Sequence, residues 1–376
     1  MTEGTDRRTN PVTRPRLLLL SGGSLVGQNI IAALSQRRDQ LDIRAVNSKA
    51  DEPTLFDFDA VYLAPWIGSD PGAFEQRFDA IVEEAAPDLV IPCRDDDVAF
   101  LAARAQRDPN ARSRYLCGSR SIADALSDKW ESWRFSSALG LPFAPTLRAD
   151  CARDELDAFV HAHGFPLVAK PVSGFASRGV VLVLDREQLA RLVGRNDYIF
   201  QKFLGDPDRV RAHAQSVARD GVPLFHTFEE VKHSIQGCIA PEGRISGLMV
   251  TDNLMRFGRS ERVDLATDPE LESAGMQWVR TFAEAGWRGP LNIQCQRGSD
   301  GRLAIYEYNG RFTGATAARY LLGFDEVGMV VRDWLAFPLR VDAPPPGARS
   351  VIRTMNSRML DPGKVTSLSR TLSWRP

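Results

Sequence analysis

The stretch Gly289-Pro-Leu-Asn-Ile-Gln-Cys-Gln-Arg-Gly-Ser-Asp-Gly-Arg-Leu-Ala-Ile-Tyr-Glu-Tyr-Asn-Gly-Arg311 constrains the fold more than any other part of the chain. Leu291, Ile293 and Cys295 alternate with Asn292, Gln294 and Gln296, the period of a strand with one buried face. Residues 297–301 carry turn chemistry that closes in Asp-Gly. Strict alternation in a second strand then places Leu303, Ile305, Glu307 and Asn309 on one face. A hairpin is predicted, with a carboxylate and a carboxamide side by side near its end.

Gln294 can face Glu307 and Asn309 across that hairpin. Three oxygen donors converging on one spot suit a hard cation that also takes phosphate ligands, which is magnesium chemistry. Arg311 follows two residues later and brings a fixed cationic fork to the same place. The same alternation also describes a sheet face that is simply solvated, so the upstream segments decide between the two.

Length and composition set the frame. The chain has 376 residues, enough for two or three domains with cores of their own. Its net charge of -1 provides no broad field for nucleic acid or an anionic membrane. The cysteines Cys93, Cys117, Cys151, Cys238 and Cys295 form no Cys-x-x-Cys and no paired spacing. That argues against zinc and a disulfide scaffold and fits a reducing cytoplasm. The apolar run at residues 17–20 is too short for a signal or membrane segment.

Residues 1–15 are polar, basic and proline-punctuated and read as a disordered tail. A strand over 16–20, the turn Ser21-Gly-Gly-Ser-Leu-Val-Gly27 and a helix over 28–36 form the first βα unit of a Rossmann-like domain. The glycines do not complete the dinucleotide fingerprint, so a tight turn is the plain reading. Strands over 43–47, 60–63 and 88–92, with a helix over 74–85, extend the domain. Cys93-Arg-Asp-Asp-Asp97 then caps a helix over 98–105, its acids suiting a helix N-terminus. Ligands gather at the carboxyl ends of α/β strands, which makes Arg94 and Asp95 substrate candidates. Cys93 has no base near it in sequence.

Ser127 or Asp128 caps a helix that starts at Lys129 and ends before Gly140-Leu-Pro-Phe-Ala-Pro145. Lys129 alone reads equally as a solvated helix lysine. Residues 165–183 give a strand, a glycine and serine loop, and a strand. Lys170 ends the first strand, Gly174 and Gly179 let the loop bend toward a ligand, and Ser173 and Ser177 can donate hydrogen bonds. Arg178 in that loop could follow phosphate or be solvated. Tyr198-Ile-Phe-Gln-Lys-Phe-Leu204 is an apolar strand running into Gly205-Asp-Pro-Asp208. Strands over 210–218 and 223–231, a long helix within 264–285, a helix over 327–337, a linker at Pro344-Pro-Pro-Gly347 and a strand over 350–355 complete the reading.

Gln294, then Glu307-x-Asn309-x-Arg311, preceded by the Asp-Lys helix and by Lys170 with its glycine loop, resembles the ATP-grasp superfamily. The likeness is to the carbamoyl-phosphate-synthase-like branch of carboxylate–amine ligases, over residues 16–340. It implies a mixed α/β and α+β architecture: a disordered tail over 1–15, a Rossmann-like pre-ATP-grasp domain over 16–125, then a two-lobed ATP-grasp domain. The small lobe would cover 126–200 and hold the phosphate loop, the large lobe 201–340 and hold the metal hairpin, and 341–376 would be a C-terminal linker and strand.

The resemblance also implies roles. Lys129 and Lys170 would hold the α- and β-phosphates of ATP, with Ser173, Gly174, Ser177 and Gly179 in the covering loop. Gln201, Lys202, Phe203 and Leu204 would form the adenine hinge, and Asp208 would take the ribose hydroxyls. Glu307 would bridge two magnesium ions, for which manganese could substitute, with Gln294 and Asn309 completing their shells. Arg311 would steady the acylphosphate. His233, Arg256 and Arg259 stand where family members meet substrate, and a strand face or a surface loop is the plain alternative for each. Small-molecule acid and amine partners are implied, with room for a homodimer. The implied reaction is amide formation through an acylphosphate, releasing ADP and phosphate. A bicarbonate or carbamate kinase, or a non-catalytic ATP-binding module, stands beside it.

Overall fold

The computed structural model describes residues 14–174, 179–221, 230–256, 259–340, 348–354 and 357–376. Leu17, Leu18, Leu19 and Leu20 are wholly buried, and this run makes β1 (Arg16–Leu20) an interior strand of the first sheet. The chain continues through α1 (Leu25–Ala33), β2 (Asp42–Asn47), β3 (Ala60–Leu63), α2 (Pro71–Ala85), β4 (Leu89–Pro92), α3 (Asp95–Arg107) and α4 (Arg120–Ser127). β1 pairs in parallel with β2 and β4, and β2 with β3. Buried parallel strands read as near-continuous apolar runs, which is why this sheet was legible. The turn before α1 needs glycine: a Cβ on Gly27 would lie 2.0 Å from the Gly22 carbonyl oxygen.

A small four-stranded sheet follows α5 (Lys129–Ala138). Its elements are β5 (Thr146–Arg148), α6 (Arg153–His163), β6 (Leu167–Pro171), β7 (Val181–Val183), α7 (Arg186–Ala190) and β8 (Tyr198–Lys202), in the antiparallel order β5-β8-β6-β7. Next comes α8 (Pro207–Asp220), and it corrects the strand expected over 210–218. Asp206 caps the helix through the amides of Asp208 and Arg209, and Pro207 occupies the first turn. That start signal outweighs Asp220-Gly221, which read as the turn between two strands. Of the strand expected over 223–231, residues 223–229 lie outside the described residues.

The third sheet has the order β13-β12-β9-β10-β11-β14. Its strands are β9 (Glu230–Ile239), β10 (Ile245–Arg256), β11 (Arg259–Leu265), β12 (Gly289–Arg297), β13 (Leu303–Asn309) and β14 (Ser350–Ile352). α9 (Pro269–Glu284), α10 (Thr316–Leu321) and α11 (Glu326–Leu335) pack around it. The C-terminal segment is more than a linker and a strand. After β14 it forms α12 (Pro362–Thr371) and β15 (Ser373–Trp374), and β15 pairs antiparallel with β3 of the first sheet. Among the described residues no helix is long and apolar enough to cross a membrane.

Candidate active site

The predicted hairpin exists as β12 and β13, with Gln294 directly opposite Glu307 and Asn292 opposite Asn309. One expectation about it fails. The register shifts at Gln294/Cys295, so Cys295 pairs with Ile305 and Tyr306 is bulged out of the ladder. A bulge re-aims the side chains beyond it. Ile305 therefore turns into the core with Cys295, both wholly buried, while Tyr306, Glu307 and Asn309 border a large cavity. Strict alternation would have put Ile305 and Glu307 on one face and forced the carboxylate into the core. Gly310 follows because the Trp287 ring lies beneath it: a Cβ there would come 2.7 Å from the indole.

The cavity, of about 940 Å³, is bounded by all three sheets. From the first come Ser21, Asn47, Glu52, Trp66, Arg94 and Asp95. The small sheet supplies Lys170, Gln201 and Lys202, with Lys129, Ser173, Gly174, Phe203 and Leu204 from adjoining segments. The third sheet supplies His233, Gln294, Glu307 and Asn309, and Arg311 follows β13. Asp208 does not border the cavity. It sits in the first turn of α8 and pairs with Arg211 at 2.6 Å, its side chain 87% exposed, so the structure does not bring this ribose candidate together with the other site residues. Gly179 also lies off the cavity, its carbonyl accepting from the Tyr198 hydroxyl at 2.9 Å. Ser177 and Arg178 lie outside the described residues, as do the side chains of Arg256 and Arg259, whose backbones pair where β10 meets β11.

Lys170 is buried and donates to Gln201 Oε1 at 2.6 Å, while Gln201 Nε2 donates to Thr146 Oγ1 at 3.1 Å. Gln201 thus aims the lysine rather than presenting its own amide to a ligand. Burial pulls the Lys170 ammonium down to about 7; the Glu307 carboxylate acts the other way, and Lys232 and Lys129 add to the depression. Lys129 Nζ donates to the Gly174 carbonyl at 3.4 Å, and its backbone amide donates to the Val172 carbonyl at 2.8 Å, tying α5 to the segment after β6. Lys232 was missed by the sequence reading. Its ammonium lies 5.2 Å from the Tyr306 ring centroid, and Lys170 lies 5.1 Å from the same centroid. The pattern Lys232-x-Ser234-x-Gln236 was a usable signal, because Ser234 stands beside Gln294 in register. Attention to His233 selected the residue one place along; its Nδ1 lies 2.7 Å from Asp252 Oδ1.

The opposite wall is a run of carboxamides. Arg311 Nη2 donates to Asn309 Oδ1 at 2.9 Å, and Asn292 Nδ2 donates to Ser234 Oγ at 2.7 Å and to Gln236 Oε1 at 3.1 Å. The Tyr306 hydroxyl donates to Gln294 Oε1 at 3.0 Å. Gln294 Oε1 and Asn309 Oδ1 thus each accept one bond, and with the Glu307 carboxylate beside them at the cavity wall their remaining lone pairs make a donor set that fits a hard cation. Among the described residues no three His, Cys, Asp or Glu side chains group as a metal site, so an ion here would lean on Glu307, carboxamides and its own ligand.

The three acids after Cys93 have separate tasks. Asp97 accepts from the amides of Cys93 at 3.2 Å and Arg94 at 2.9 Å and from Ser21 Oγ at 3.1 Å, and burial pushes its carboxyl up to about 7. Asp96 accepts from Trp66 Nε1 at 3.1 Å and pairs with Arg94 at 3.1 Å. Asp95 engages Arg311. Cys93 is buried and its thiol is pushed well up, so it is inert as a nucleophile.

No protein-family model matches the sequence, and no curated protein matches it. The fold is shared with solved structures. The ADP complex of an N5-carboxyaminoimidazole ribonucleotide synthetase superposes with a TM-score of 0.63 at 14% identity, over 87% of this chain and 78% of that one. Biotin carboxylase from Campylobacter jejuni, in a β-γ-ATP complex, gives 0.62 at 13% identity, over 86% and 72%. The biotin carboxylase domain of the Hydrogenobacter thermophilus 2-oxoglutarate carboxylase, solved as a dimer with MgADP, ADP and bicarbonate, gives 0.60 at 17%, over 86% and 70%. The likeness shows that the chain has the mixed α/β ATP-grasp fold.

Proposed function

We propose that this ATP-grasp chain is an ATP-dependent carboxylate–amine ligase that works through an acylphosphate and releases ADP and phosphate. One observation carries the reading: Lys129, Lys170 and Lys232 border the same cavity as Gln294, Glu307, Asn309 and Arg311. Cations suited to phosphate and oxygens suited to magnesium are what phosphoryl transfer needs, since the protein's task there is positioning and charge neutralisation.

In this reading Lys129, Lys170 and Lys232 hold the phosphate chain, and the backbone at Lys202 and Leu204 meets the adenine edge. Glu307, Gln294 and Asn309 would hold Mg²⁺, which supplies neutralisation of the phosphate charge when bound. Arg311 stabilises charge on the transferred phosphoryl group and on the oxyanion formed as the amine attacks. The loop at Ser173 and Gly174 covers the phosphates and excludes water from the acylphosphate. The acid and the amine would enter from the side built by Ser21, Glu52, Trp66 and Arg94.

A second reading takes bicarbonate as the acid, and the neighbour solved with MgADP and bicarbonate is its motive. One experiment covers both: phosphate release from MgATP across a panel of carboxylic acids, bicarbonate included, each with a panel of amines, and chromatography of the spent nucleotide. ADP with an amide product is the expected outcome. AMP and pyrophosphate would overturn the mechanism, and release driven by bicarbonate alone would favour the second reading.

A further inference from the structure

The most closely held group in the cavity is Arg311, and its holder comes from the other domain. Arg311 Nε lies 2.9 Å from Asp95 Oδ1, and Arg311 Nη2 donates to Asp95 Oδ2 at 3.0 Å. The two residues are 216 positions apart in the chain. Nη2 also donates to Asn309 at 2.9 Å, and Nη1 donates to the Phe312 carbonyl at 3.2 Å. The Nη2 hydrogen bond and the close Nε approach fall on the same carboxylate, and together with the bonds to Asn309 and Phe312 they hold the guanidinium in place. Asp95 is itself fixed. It is the first residue of α3, and Asp97 locks that first turn by accepting from the backbone amides of Cys93 and Arg94. The Arg311 side chain is 12% exposed and that of Asp95 26%, so the pair is shielded on most sides but open to the cavity both residues border.

We propose that Asp95 is the positioning residue for Arg311, so that the Rossmann-like sheet sets the geometry of the phosphoryl- and acyl-transfer centre built on the third sheet. The role rests on the ligase reading above. It also replaces the substrate contact expected of Asp95 from sequence, because its carboxylate is already engaged. An arginine that must meet a short-lived anion gains most from having its orientation set before the reaction begins. Nothing in the pair touches the hinge or Lys170, so nucleotide affinity should not depend on it.

The test compares Asp95→Asn, Asp95→Glu, Arg311→Ala and the double variant Asp95→Asn/Arg311→Ala, using the acid–amine pair that gives the fastest phosphate release in the wild type. Asp95→Asn should lower kcat by on the order of 100-fold, the usual loss for one transition-state contact, and leave KM for ATP unchanged. Asp95→Glu should recover part of that loss. The double variant should be no slower than Arg311→Ala alone, because Asp95 acts through Arg311. A purely structural role would instead lower the melting temperature, raise KM for ATP and add its loss to that of Arg311→Ala. Near wild-type kcat in Asp95→Asn, or additive losses, would overturn the proposal and leave the ligase reading standing. A wild-type protein that turns over no pair would overturn the ligase reading and this role with it.

Discussion

The two walls of the cavity are built in different ways. The wall carrying Glu307 and Asn309 stands on a core continuous with the first sheet: Leu18, Val90 and Phe78 belong to the same buried cluster as Leu291, Ile293, Cys295 and Trp287. The wall carrying Lys170 and Gln201 stands on a separate cluster of Ala149, Leu156, Val160, Leu167, Ala169, Val183, Leu189, Tyr198 and Phe200. The carboxamide wall and the Asp95–Arg311 pair therefore share one body with the Rossmann-like sheet, and the lysine wall rides on another. An element with its own core can open and close as a unit. On the ligase reading proposed above, the difference divides the work: Arg311, the oxygen set and Lys232 on β9 share the larger body, while Lys170 and Gln201 stand on the smaller core and could move against them.

Removing a large side chain from the small core should break the comparison most visibly. Phe200→Ala is expected to cost about 3–5 kcal/mol, because the ring is wholly buried at the centre of the small sheet. If the cores are separate, calorimetric melting should show an early small-lobe transition while the main transition stays in place. A single shifted transition would mean that the two walls unfold as one. Next in size is Glu307→Gln. The exchange is nearly isosteric and the residue is only partly buried, so the melting temperature should hold. Turnover should fall by at least about 100-fold, as for loss of one contact to developing charge. Normal phosphate release from a normally melting variant would show that the hairpin is only a sheet face.

The pH dependence sharpens the comparison from the lysine side. Lys170 titrates near 7 because it is buried, and an adjacent phosphate chain would favour its charged form. ATP binding should therefore take up a proton at pH 8 and almost none at pH 6. Affinity should weaken as pH rises through 7, by about fivefold between pH 7 and 8 for one group titrating at 7. Calorimetry at pH 8 in buffers of different ionisation enthalpy measures the uptake, and Lys170→Ala should abolish it while weakening binding by more than about 1 kcal/mol. For folding the sign is opposite: the unfolded lysine keeps its proton up to about 10.4, so the lysine's contribution to stability rises with pH above 7.

These differences bear on what could be read from sequence. The hairpin was legible because its alternation is strong and Asp-Gly marks the turn, and the parallel strands of the first sheet were legible as apolar runs. The bulge at Tyr306 was not, because the residue pattern is equally regular with or without it, and only the core's demand for Ile305 decides. Asp95 and Arg311 each carried a signal, but their pairing is a product of the fold, and no local period encodes a contact across 216 positions. β15 joining β3 is hidden for the same reason. Lys232 and α8 are different cases, since parity along β9 and the Asp206-Pro207 start signal were both present in the sequence.

The smallest expected effect separates two acids at the start of α8, on the lysine side of the comparison. Asp206 accepts from the Asp208 amide at 2.9 Å and from the Arg209 amide at 3.4 Å, satisfying backbone donors that the helix leaves unpaired. Asp208, two residues on, pairs through its carboxylate with the exposed Arg211. Loss of an N-cap acid costs about 1 kcal/mol, whereas an exposed pair three residues apart on a helix is worth about 0.3–0.5 kcal/mol at most. Asp206→Ala should therefore lower the measured stability by about 1 kcal/mol, and Asp208→Ala should leave it almost in place. Neither should change ATP affinity by more than about twofold, under about 0.4 kcal/mol, because neither side chain borders the cavity. A tenfold loss of affinity in Asp208→Ala would mean that α8 turns toward the nucleotide when it binds. The acid would then have a ligand contact in addition to its pairing with Arg211, and the lysine wall would be the more mobile of the two by a full helix.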